Sequence, residues 1–323
     1  MSDVLGTLTD GRVTLRPWSD SDAALLDAGR DAAVDAYVGP FAGSAPDRHA
    51  YVITLADGTA VGACALTERG ESTGELTWLL FADHRRSGYA TRAVRILVDW
   101  AVSDVEQGGL GLGRVEARVE QANEKALRVA TRAGLRREGM VRIAPGTALR
   151  PDVREKALFA RLSTDPPLSD PSAFRSLLNS ILPRKRAIAQ MLVRDRSGRV
   201  LMCQLTYKTD WDLPGGVVEV DESPRLAVTR EVAEELALDI EAGDLLLTDW
   251  LPPWSGWEDA LCLVFDGGTI DAAALAQVVR QEREIKSVEF CTLEQVRERA
   301  ADFTFRRIEA AVSGRRGFTE SGR

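Results

Sequence analysis

The chain has 323 residues, of which 45% are hydrophobic and 28% are charged, and its formal net charge is −8. This is the composition of a globular protein, and the length favours two domains over one. Residues 163–323 hold 27 acidic and 20 basic residues, an acidic excess that disfavours a nucleic-acid-binding surface. No uncharged apolar run of about 18 residues occurs, and residues 1–6 lack the parts of a secretory signal. We therefore expect a cytoplasmic protein that does not act at a membrane.

The cysteine and histidine content restricts the metal chemistry. The four cysteines lie far apart among apolar neighbours and predict buried, reduced thiols; they are Cys64, Cys203, Cys262 and Cys291. With only two histidines, a histidine-rich zinc site is excluded. Any metal must be held mainly by oxygen ligands, which suit magnesium, manganese or calcium.

Residues 1–162 predict a mixed α/β domain. Apolar alternation between turn residues predicts strands, and apolar spacing of three and four predicts helices. The predicted strands are Val13–Leu15, Tyr51–Leu55, Ala60–Leu66, Glu75–Phe81, Val115–Glu120 and Glu155–Leu162. The predicted helices begin near Ser21 and span Tyr89–Val105 and Ala122–Ala133.

A proline-rich stretch at Ser163–Ser172 predicts a linker over residues 163–183 that contains a short helix at Phe174–Leu182. Residues 184–323 predict a second α/β domain that opens with a hairpin. Its predicted strands are Ala187–Arg194, Val200–Leu205, Leu245–Trp250, Ala260–Phe265 and Ser287–Cys291, and its predicted helices are Pro224–Leu236 and Phe303–Val312.

The helix at Pro224–Leu236 carries an unusual set of carboxylates. Ser223 followed by proline predicts the helix start. Glu231, Glu234 and Glu235 have the spacing i, i+3 and i+4, so they share one helix face. Their mutual repulsion is relieved by a divalent cation with hard oxygen ligands. The alternatives are an acidic, solvated helix face or a calcium-binding loop, although the alternating donors of such a loop are absent.

This segment resembles the Nudix box, which has the pattern G, five residues, E, seven residues, then R-E-U-x-E-E-x-G-U, where U is bulky and apolar. The residues at those offsets are Gly216, Glu222, Arg230, Glu231, Val232, Glu234, Glu235 and Leu238. Ala237 replaces the family glycine, at a cost of about 1 kcal/mol in backbone strain. The resemblance covers residues 184–313 and implies an α/β/α sandwich. It also implies hydrolysis, with Mg²⁺ or Mn²⁺, of a nucleoside diphosphate linked to another moiety.

The same resemblance implies residue roles. The carbonyl of Gly216 and the carboxylates of Glu231, Glu234 and Glu235 are the candidate metal ligands, and one of these carboxylates acts as general base. The candidate substrate-binding residues are Arg230, Trp254, Trp257 and Glu284, with Glu282 as an alternative to Glu284. The two indoles are candidates for stacking on a base, although aromatic residues in such a loop are more often packed or simply exposed at the surface. The coenzyme A-cleaving branch has phenylalanine where this chain has Leu213, so coenzyme A is a poor substrate prediction.

A second constellation lies in the first half, where a predicted strand is followed by a short loop and a predicted helix. Free N–H groups at a helix start attract phosphate, and Gly88 allows a ligand to approach the backbone. Arg85 and Arg86 add positive charge. The alternative is a plain strand–helix turn.

This loop resembles the R/Q-x-x-G-x-G/A pattern of GNAT acetyltransferases, and the segment from Asn123 to Leu135 resembles a later motif of that family. Leu15–Trp18 resembles the entry strand of the ribosomal-protein alanine acetyltransferase branch. The resemblance spans residues 10–162 and implies an acetyl-coenzyme A site between strands that separate at 75–81 and 115–120. The candidate cofactor-binding residues are Arg85, Arg86, Ser87, Gly88, Tyr89, Ala90, Thr91 and Asn123.

The first half contains one candidate catalytic residue, a carboxylate that would act as general base in acetyl transfer. Glu75 matches a carboxylate that this branch uses as a base, although it also suits an exposed strand position. Ala126 replaces the family serine, and residues 123–135 contain no tyrosine to act as general acid. The acceptor is an amine or a protein N-terminus. We therefore predict a bifunctional hydrolase and N-acetyltransferase; the alternative is a hydrolase regulated by a non-catalytic acetyl-coenzyme A sensor.

Overall fold

The computed structural model describes residues 6–37, 48–142, 155–314 and 317–323. The chain divides into two compact units, Met1–Leu182 and Pro183–Arg323. This division falls at the end of the segment 163–183 that the sequence assigns to a linker. Residues 1–5, which enter the expectation that no secretory signal is present, lie outside the described residues.

The first unit is a twisted sheet with helices packed on it. Its described strands are β1 (Leu8–Thr9), β2 (Val13–Pro17), β3 (Arg48–Leu55), β4 (Ala60–Glu68), β5 (Thr73–Leu80), β6 (Arg114–Glu120), β7 (Arg136–Arg142) and β8 (Glu155–Leu162). Its described α-helices are α1 (Ala23–Gly29), α2 (Ala32–Tyr37), α3 (Tyr89–Val102), α4 (Glu124–Arg132) and α5 (Pro171–Ile181). The strand order is β1-β2-β3-β4-β5-β6-β8-β7. The main core lies between this sheet and the apolar face of α3, which buries Ala93, Val94, Leu97 and Val98.

The sheet of the first unit opens between β5 and β6. These two strands run parallel and pair only from Thr73 to Glu75, whereas β6 pairs along its whole length with β8. Beyond Glu75 the strands therefore separate, in the region where the sequence predicts the cofactor arm.

The helix α5 lies in the predicted linker. Its start is capped by Asp170, whose carboxylate accepts a hydrogen bond from the Ser172 N–H at 2.7 Å. Near its end, the Ser180 hydroxyl accepts a hydrogen bond from the Arg137 N–H of β7 at 3.2 Å. The segment after residue 162 is therefore attached to the sheet of the first unit.

The second unit is a mixed sheet between helices. Its described strands are β9 (Arg186–Asp195), β10 (Val200–Leu205), β11 (Trp211–Asp212), β12 (Gly215–Val217), β13 (Leu245–Leu251), β14 (Ala260–Ile270), β15 (Ile285–Cys291) and β16 (Gly317–Glu320). Its described α-helices are α6 (Pro224–Leu236), α7 (Leu293–Arg299) and α8 (Asp302–Val312).

Alternate residues of the central strands β9 and β10 point to opposite faces of this sheet. Met191 and Leu201 pack with α6 on one face, and Leu192 and Met202 pack with α8 on the other. This alternation follows from the two-residue period of a strand. The predicted fold class, two α/β domains of which the second is an α/β/α sandwich, is confirmed.

The predicted hairpin of β9 and β10 is correct only at its turn. The Asp195 N–H donates to the Arg199 carbonyl at 2.9 Å, but the two strands pair at Val200 and Arg194 alone. β12 instead pairs with β9, and β10 pairs with β15. The hairpin prediction fails because a later strand carrying Gly215 and Gly216 takes the neighbouring position. No α-helix of the described residues is both long and apolar enough to cross a membrane.

Candidate active sites

The carboxylate helix α6 begins and ends as the sequence predicts. The Ser223 side chain accepts a hydrogen bond from the Leu226 N–H at 3.3 Å, and Pro224 occupies the first turn. Ala237 closes the helix in the left-handed conformation, with φ 53° and ψ 31°. The predicted strain at this position is thus present in the backbone.

Two glutamates of α6 are pressed against the glycines of β12. The Gly215 N–H donates to Glu235 Oε2 at 3.1 Å. A Cβ atom at Gly216 would lie 2.5 Å from the carboxyl carbon of Glu231. A side chain at position 216 would therefore displace the carboxylate of Glu231 from its place against β12. The β12 strand therefore brings its backbone, Glu231 and Glu235 together.

Arg230 joins the carboxylates on the outer side of α6. Its guanidinium donates to both oxygens of Glu222, at 3.0 and 3.1 Å, and to Glu234 Oε2 at 3.0 Å. It also forms an ion pair with Glu231 at 3.1 Å. Glu234 is 53% exposed and is oriented by Arg230. Because Arg230 is held by three carboxylates, it positions them and is not a free cation for a phosphate.

The ionised forms of Glu231 and Glu235 are disfavoured where these side chains lie. Burial, together with the negative charges of Glu231, Glu284 and Asp212, raises the pKa of Glu235 to about 8, against the hydrogen bond from the Gly215 N–H. Burial likewise raises the pKa of Glu231. By contrast, the hydrogen bonds from Arg230 lower the pKa of Glu222. A buried carboxylate surrounded by like charges is what a bound cation would stabilise.

Of the two later acids, Glu284 is the one whose charge acts on this set. It influences both Glu231 and Glu235. The loop that carries it is attached to α6, because the Gln281 N–H donates to the Glu235 carbonyl at 2.9 Å.

Trp254 and Trp257 form a tight turn between β13 and β14. Their backbones exchange two hydrogen bonds, at 3.1 and 2.7 Å, around Ser255 and Gly256, both with positive φ. A cavity of about 590 Å³ is lined by this turn, its neighbours and Arg184. The carboxylates of α6 do not line this cavity.

The predicted phosphate loop of the first unit precedes α3. Gly88 is the residue before the helix and has φ 79°, and Arg86 also has a positive φ of 66°. A cavity of about 380 Å³ lies at this helix start. It is lined by the predicted residues Arg85, Arg86, Gly88, Ala90, Thr91 and Asn123, but not by Ser87 or Tyr89.

Arg85 forms an ion pair with Asp31, a partner that the sequence analysis did not predict. Its guanidinium donates to both oxygens of Asp31, at 2.7 and 2.9 Å, and its Nε donates to the Leu80 carbonyl at 3.0 Å. The hydrogen bonds from Arg85 lower the pKa of Asp31 to about 2. Arg85 therefore fixes the loop, and Arg86 is the arginine of the pair that forms no ion pair among the described residues.

The helix α4 supplies further cations to the same cavity. Asn123 caps this helix, and its side-chain oxygen accepts from the Ala126 N–H at 3.1 Å. Lys125, Arg128 and Arg132 follow at helical spacing and line the cavity. The sequence analysis missed this basic stripe, although the spacing of the three residues on one helix was a usable signal.

Glu75 lies where β5 and β6 begin to separate, but it does not line the cavity. Arg69 donates to it at 3.1 Å and Arg118 donates to it at 3.3 Å. The neighbouring Glu116 is buried and also contacts Arg118, at 2.7 Å. Glu75 thus belongs to a network of ion pairs on the sheet, and its role as a base stays a prediction.

Comparison with known families assigns both halves. The Acetyltransferase (GNAT) domain family matches residues 12–136, and the NUDIX domain family matches residues 183–310. The chain is a fusion of a GNAT domain and a NUDIX domain. The GNAT match precedes the NUDIX match in the chain. They do not identify the alanine acetyltransferase branch, which stays a prediction.

Individual relatives match parts of these domains. A "MutT-like protein" of Streptomyces ambofaciens is 41% identical over 59 residues, which is 18% of this chain and 38% of that protein. The "CTP pyrophosphohydrolase" of Escherichia coli (strain K12) is 39% identical over 54 residues, 16% of this chain and 40% of that protein. The chain thus spans less than half the length of these two relatives. A crystal structure of a GNAT-family acetyltransferase from Bacillus anthracis has a TM-score of 0.42 and 20% identity, and the alignment covers 49% of this chain and 99% of that one.

The carboxylates of α6 are the type of ligand that a divalent cation prefers. Glu231 and Glu235 provide hard carboxylate oxygens against β12, and burial with the charges of neighbouring carboxylates raises the pKa of Glu235. Within the described ranges no group of three or more His, Cys, Asp or Glu side chains is placed to hold a metal ion.

Proposed function

We propose that the NUDIX domain hydrolyses a nucleoside diphosphate linked to another moiety, with Mg²⁺ or Mn²⁺. The observation that carries this proposal is the packing of Glu231 and Glu235 against Gly215 and Gly216, with Glu235 buried among like charges. Such a cluster is destabilised unless a cation binds it. The names of the MutT-like and CTP pyrophosphohydrolase relatives support a nucleotide as substrate.

In this proposal the carboxylates of Glu231, Glu234 and Glu235 and the carbonyl of Gly216 hold the metal. When bound, the cation neutralises the diphosphate and lowers the pKa of an attacking water. Arg230 orients Glu222, Glu231 and Glu234. Glu284 supplies a further carboxylate to the same site, and Trp254 and Trp257 provide aromatic surface for the base.

The test is magnesium-dependent product release from a panel of nucleoside di- and triphosphates, dinucleotides and nucleotide sugars. Glu235→Gln keeps the shape of the side chain and removes its charge, so we expect a loss of at least about 100-fold in kcat. Glu298→Gln, at an exposed position of α7, is the matched control and should retain full activity. Equal release by wild type and Glu235→Gln would contradict the proposal, as would no release from the whole panel.

We further propose that the GNAT domain binds acetyl-coenzyme A at the start of α3 and transfers its acetyl group to an amine or a protein N-terminus. The cavity of about 380 Å³ between the loop, the end of β5 and the basic stripe of α4 supports this assignment. Acetyl-coenzyme A consumption across an amine and peptide panel tests it. Binding without turnover would instead support the sensor alternative.

A further inference from the structure

Four charged side chains of the NUDIX domain are linked in a row of alternating sign, which we call the charge quartet. Lys208 donates to Asp212 at 2.7 Å, and Arg307 donates to Asp212 and to Asp249, in each case at 3.3 Å. Arg307 and Asp249 are buried, whereas Lys208 is partly exposed. Two positive and two negative charges cancel, so the quartet can be buried, and the position of each member depends on its neighbours.

One end of the quartet is held by residues 317–322, which we call the closing segment. The Asp249 carboxylate accepts hydrogen bonds from the Thr319 hydroxyl at 2.7 Å and from the Gly322 N–H at 2.8 Å. A Cβ atom at Gly322 would lie 2.6 Å from the Cβ atom of Arg306, so the closing segment lies tightly on α8. The NUDIX family match ends at residue 310. The closing segment therefore lies outside the matched part of the chain.

The other end of the quartet reaches the strand that carries the site. The Asp212 carboxylate accepts from the Gln190 amide at 2.8 Å and from the Leu213 N–H at 3.0 Å. Gln190 is the β9 residue that pairs with Gly215 of β12. The Gly215 N–H in turn donates to Glu235 at 3.1 Å. The contacts of Asp212 thus hold the backbone against which Glu235 packs.

We propose that the closing segment positions the carboxylates of the NUDIX site, with Thr319 as its main positioning residue. This inference rests on the proposed hydrolase function and makes the site depend on residues beyond the family match. Thr319 orients Asp249, and Asp249 orients Arg307. Arg307 then holds the quartet beside β12, so that Glu235 keeps its place for a cation. The alternative is a closing segment that only stabilises the domain.

The experiment measures backbone hydrogen exchange of the metal-free full chain and its affinity for Mn²⁺, at a temperature at which every variant is folded. Thr319→Val keeps the shape of the side chain and removes the hydroxyl that donates to Asp249. We expect local opening to speed exchange in residues 211–217 by about 10-fold, and in β15 by less than about 2-fold. Mn²⁺ should bind about 3- to 10-fold more weakly.

Three further variants test the route of this effect. Thr319→Ser restores the hydroxyl and should stay within about 2-fold of wild type in both measurements. Gly322→Ala displaces the closing segment from α8 by a different contact and should repeat the effect of Thr319→Val. Glu320→Gln, at an exposed position of the same strand, is the matched control and should behave as wild type.

The outcomes separate positioning from stability and from the hydrolase proposal. Exchange that rises equally in residues 211–217 and β15 would overturn the inference, as would exchange or Mn²⁺ affinity that Thr319→Val leaves unchanged. If Thr319→Val has the expected effects but the wild type releases no product, the positioning stands and the hydrolase proposal fails. Product release by the wild type, with no effect of Thr319→Val on exchange or Mn²⁺ affinity, would have the reverse meaning.

Discussion

The NUDIX site and the GNAT site of this chain treat charge in opposite ways. In the NUDIX domain, carboxylates are packed together so that burial and repulsion raise the pKa of Glu235 to about 8. In the GNAT domain, the first arginine of the phosphate loop is neutralised by Asp31, and the helix start provides backbone N–H groups instead. The comparison teaches that the first site holds excess negative charge and needs a cation, whereas the second combines the fixed dipole of a helix start with the cations Arg86, Lys125, Arg128 and Arg132 and suits an anion.

The largest effect is expected at the buried charges behind the NUDIX site. Arg307 is 2% exposed and donates to Asp249 and to Asp212, in each case at 3.3 Å. Arg307→Met leaves both carboxylates buried without this partner, so we expect the free energy of unfolding to fall by about 3–5 kcal/mol. Denaturant unfolding of the full chain measures the change. Arg306→Met, which removes only bonds to the Ser321 carbonyl, is the control and should cost less than about 1 kcal/mol.

The comparison of the two variants shows whether buried charges affect the free energy of unfolding elsewhere in the NUDIX domain or only at the carboxylates of α6. If Arg307→Met and Arg306→Met are equally stable, the buried ions do not contribute and the contrast with the GNAT domain is confined to the glutamates of α6. If only Arg307→Met lowers the free energy of unfolding, the same domain contains buried charges that are paired, around Arg307, and a buried carboxylate without a cation, Glu235.

A smaller, pH-dependent effect is expected in the GNAT domain at Asp22. Its carboxylate accepts from Arg16 at 2.7 and 3.1 Å and from the Ser19 N–H at 2.8 Å. The hydrogen bonds from Arg16 lower its pKa from 3.8 to about 2, against burial. A lowered pKa stabilises the fold above the unfolded value, and this stabilisation is lost as the pH falls through the folded value. Asp22→Asn should therefore cost about 1–2 kcal/mol at pH 7, allowing for the exposure of Arg16.

The measurement is the stability difference between wild type and Asp22→Asn at several pH values. It should be constant above about pH 5 and shrink between about pH 4 and pH 2. Asp27→Asn, at an exposed position of α1, should show no such dependence. A difference that grows on acidification would contradict the sign of the argument.

The sequence pattern predicts more of the contacts around the NUDIX carboxylates than of those around the GNAT phosphate loop, for a physical reason. Glu231 and Glu235 lie one turn apart on α6, so their spacing alone places them on one helix face, whereas Gly216 lies on β12 and was assigned from the family pattern. The partner of Arg85 is Asp31, 54 positions away in the sequence, and only the tertiary fold brings it to the loop.

The contrast within the phosphate loop predicts different consequences for its two arginines. Arg86→Gln removes a cation that lines the cavity and has no ion pair within the described chain, so acetyl-coenzyme A affinity should fall by about 5- to 10-fold, and less at high salt. Arg85→Gln should instead destabilise the fold by about 1 kcal/mol, because Asp31 loses its partner. Calorimetric titration and thermal unfolding of both variants measure the two effects. Equal loss of affinity in both would show that Arg85 also contacts the cofactor.

The smallest effect tests the one departure of the carboxylate helix from its family pattern. Ala237 adopts φ 53° and ψ 31°, a conformation that costs a residue with a Cβ atom about 1 kcal/mol and costs glycine little. Ala237→Gly should therefore raise the free energy of unfolding by up to about 1 kcal/mol, less the larger entropy of glycine in the unfolded chain. Ala233→Gly, inside the same helix, should lower it by about 1 kcal/mol. Opposite signs would show that the helix end is strained by alanine while its carboxylates stay in place, and magnesium-dependent hydrolysis by Ala237→Gly should then equal that of wild type. If both substitutions destabilise the domain, the left-handed helix end is not strained in solution. Ala237 would then help to hold the end of α6, and with it Glu235, in position.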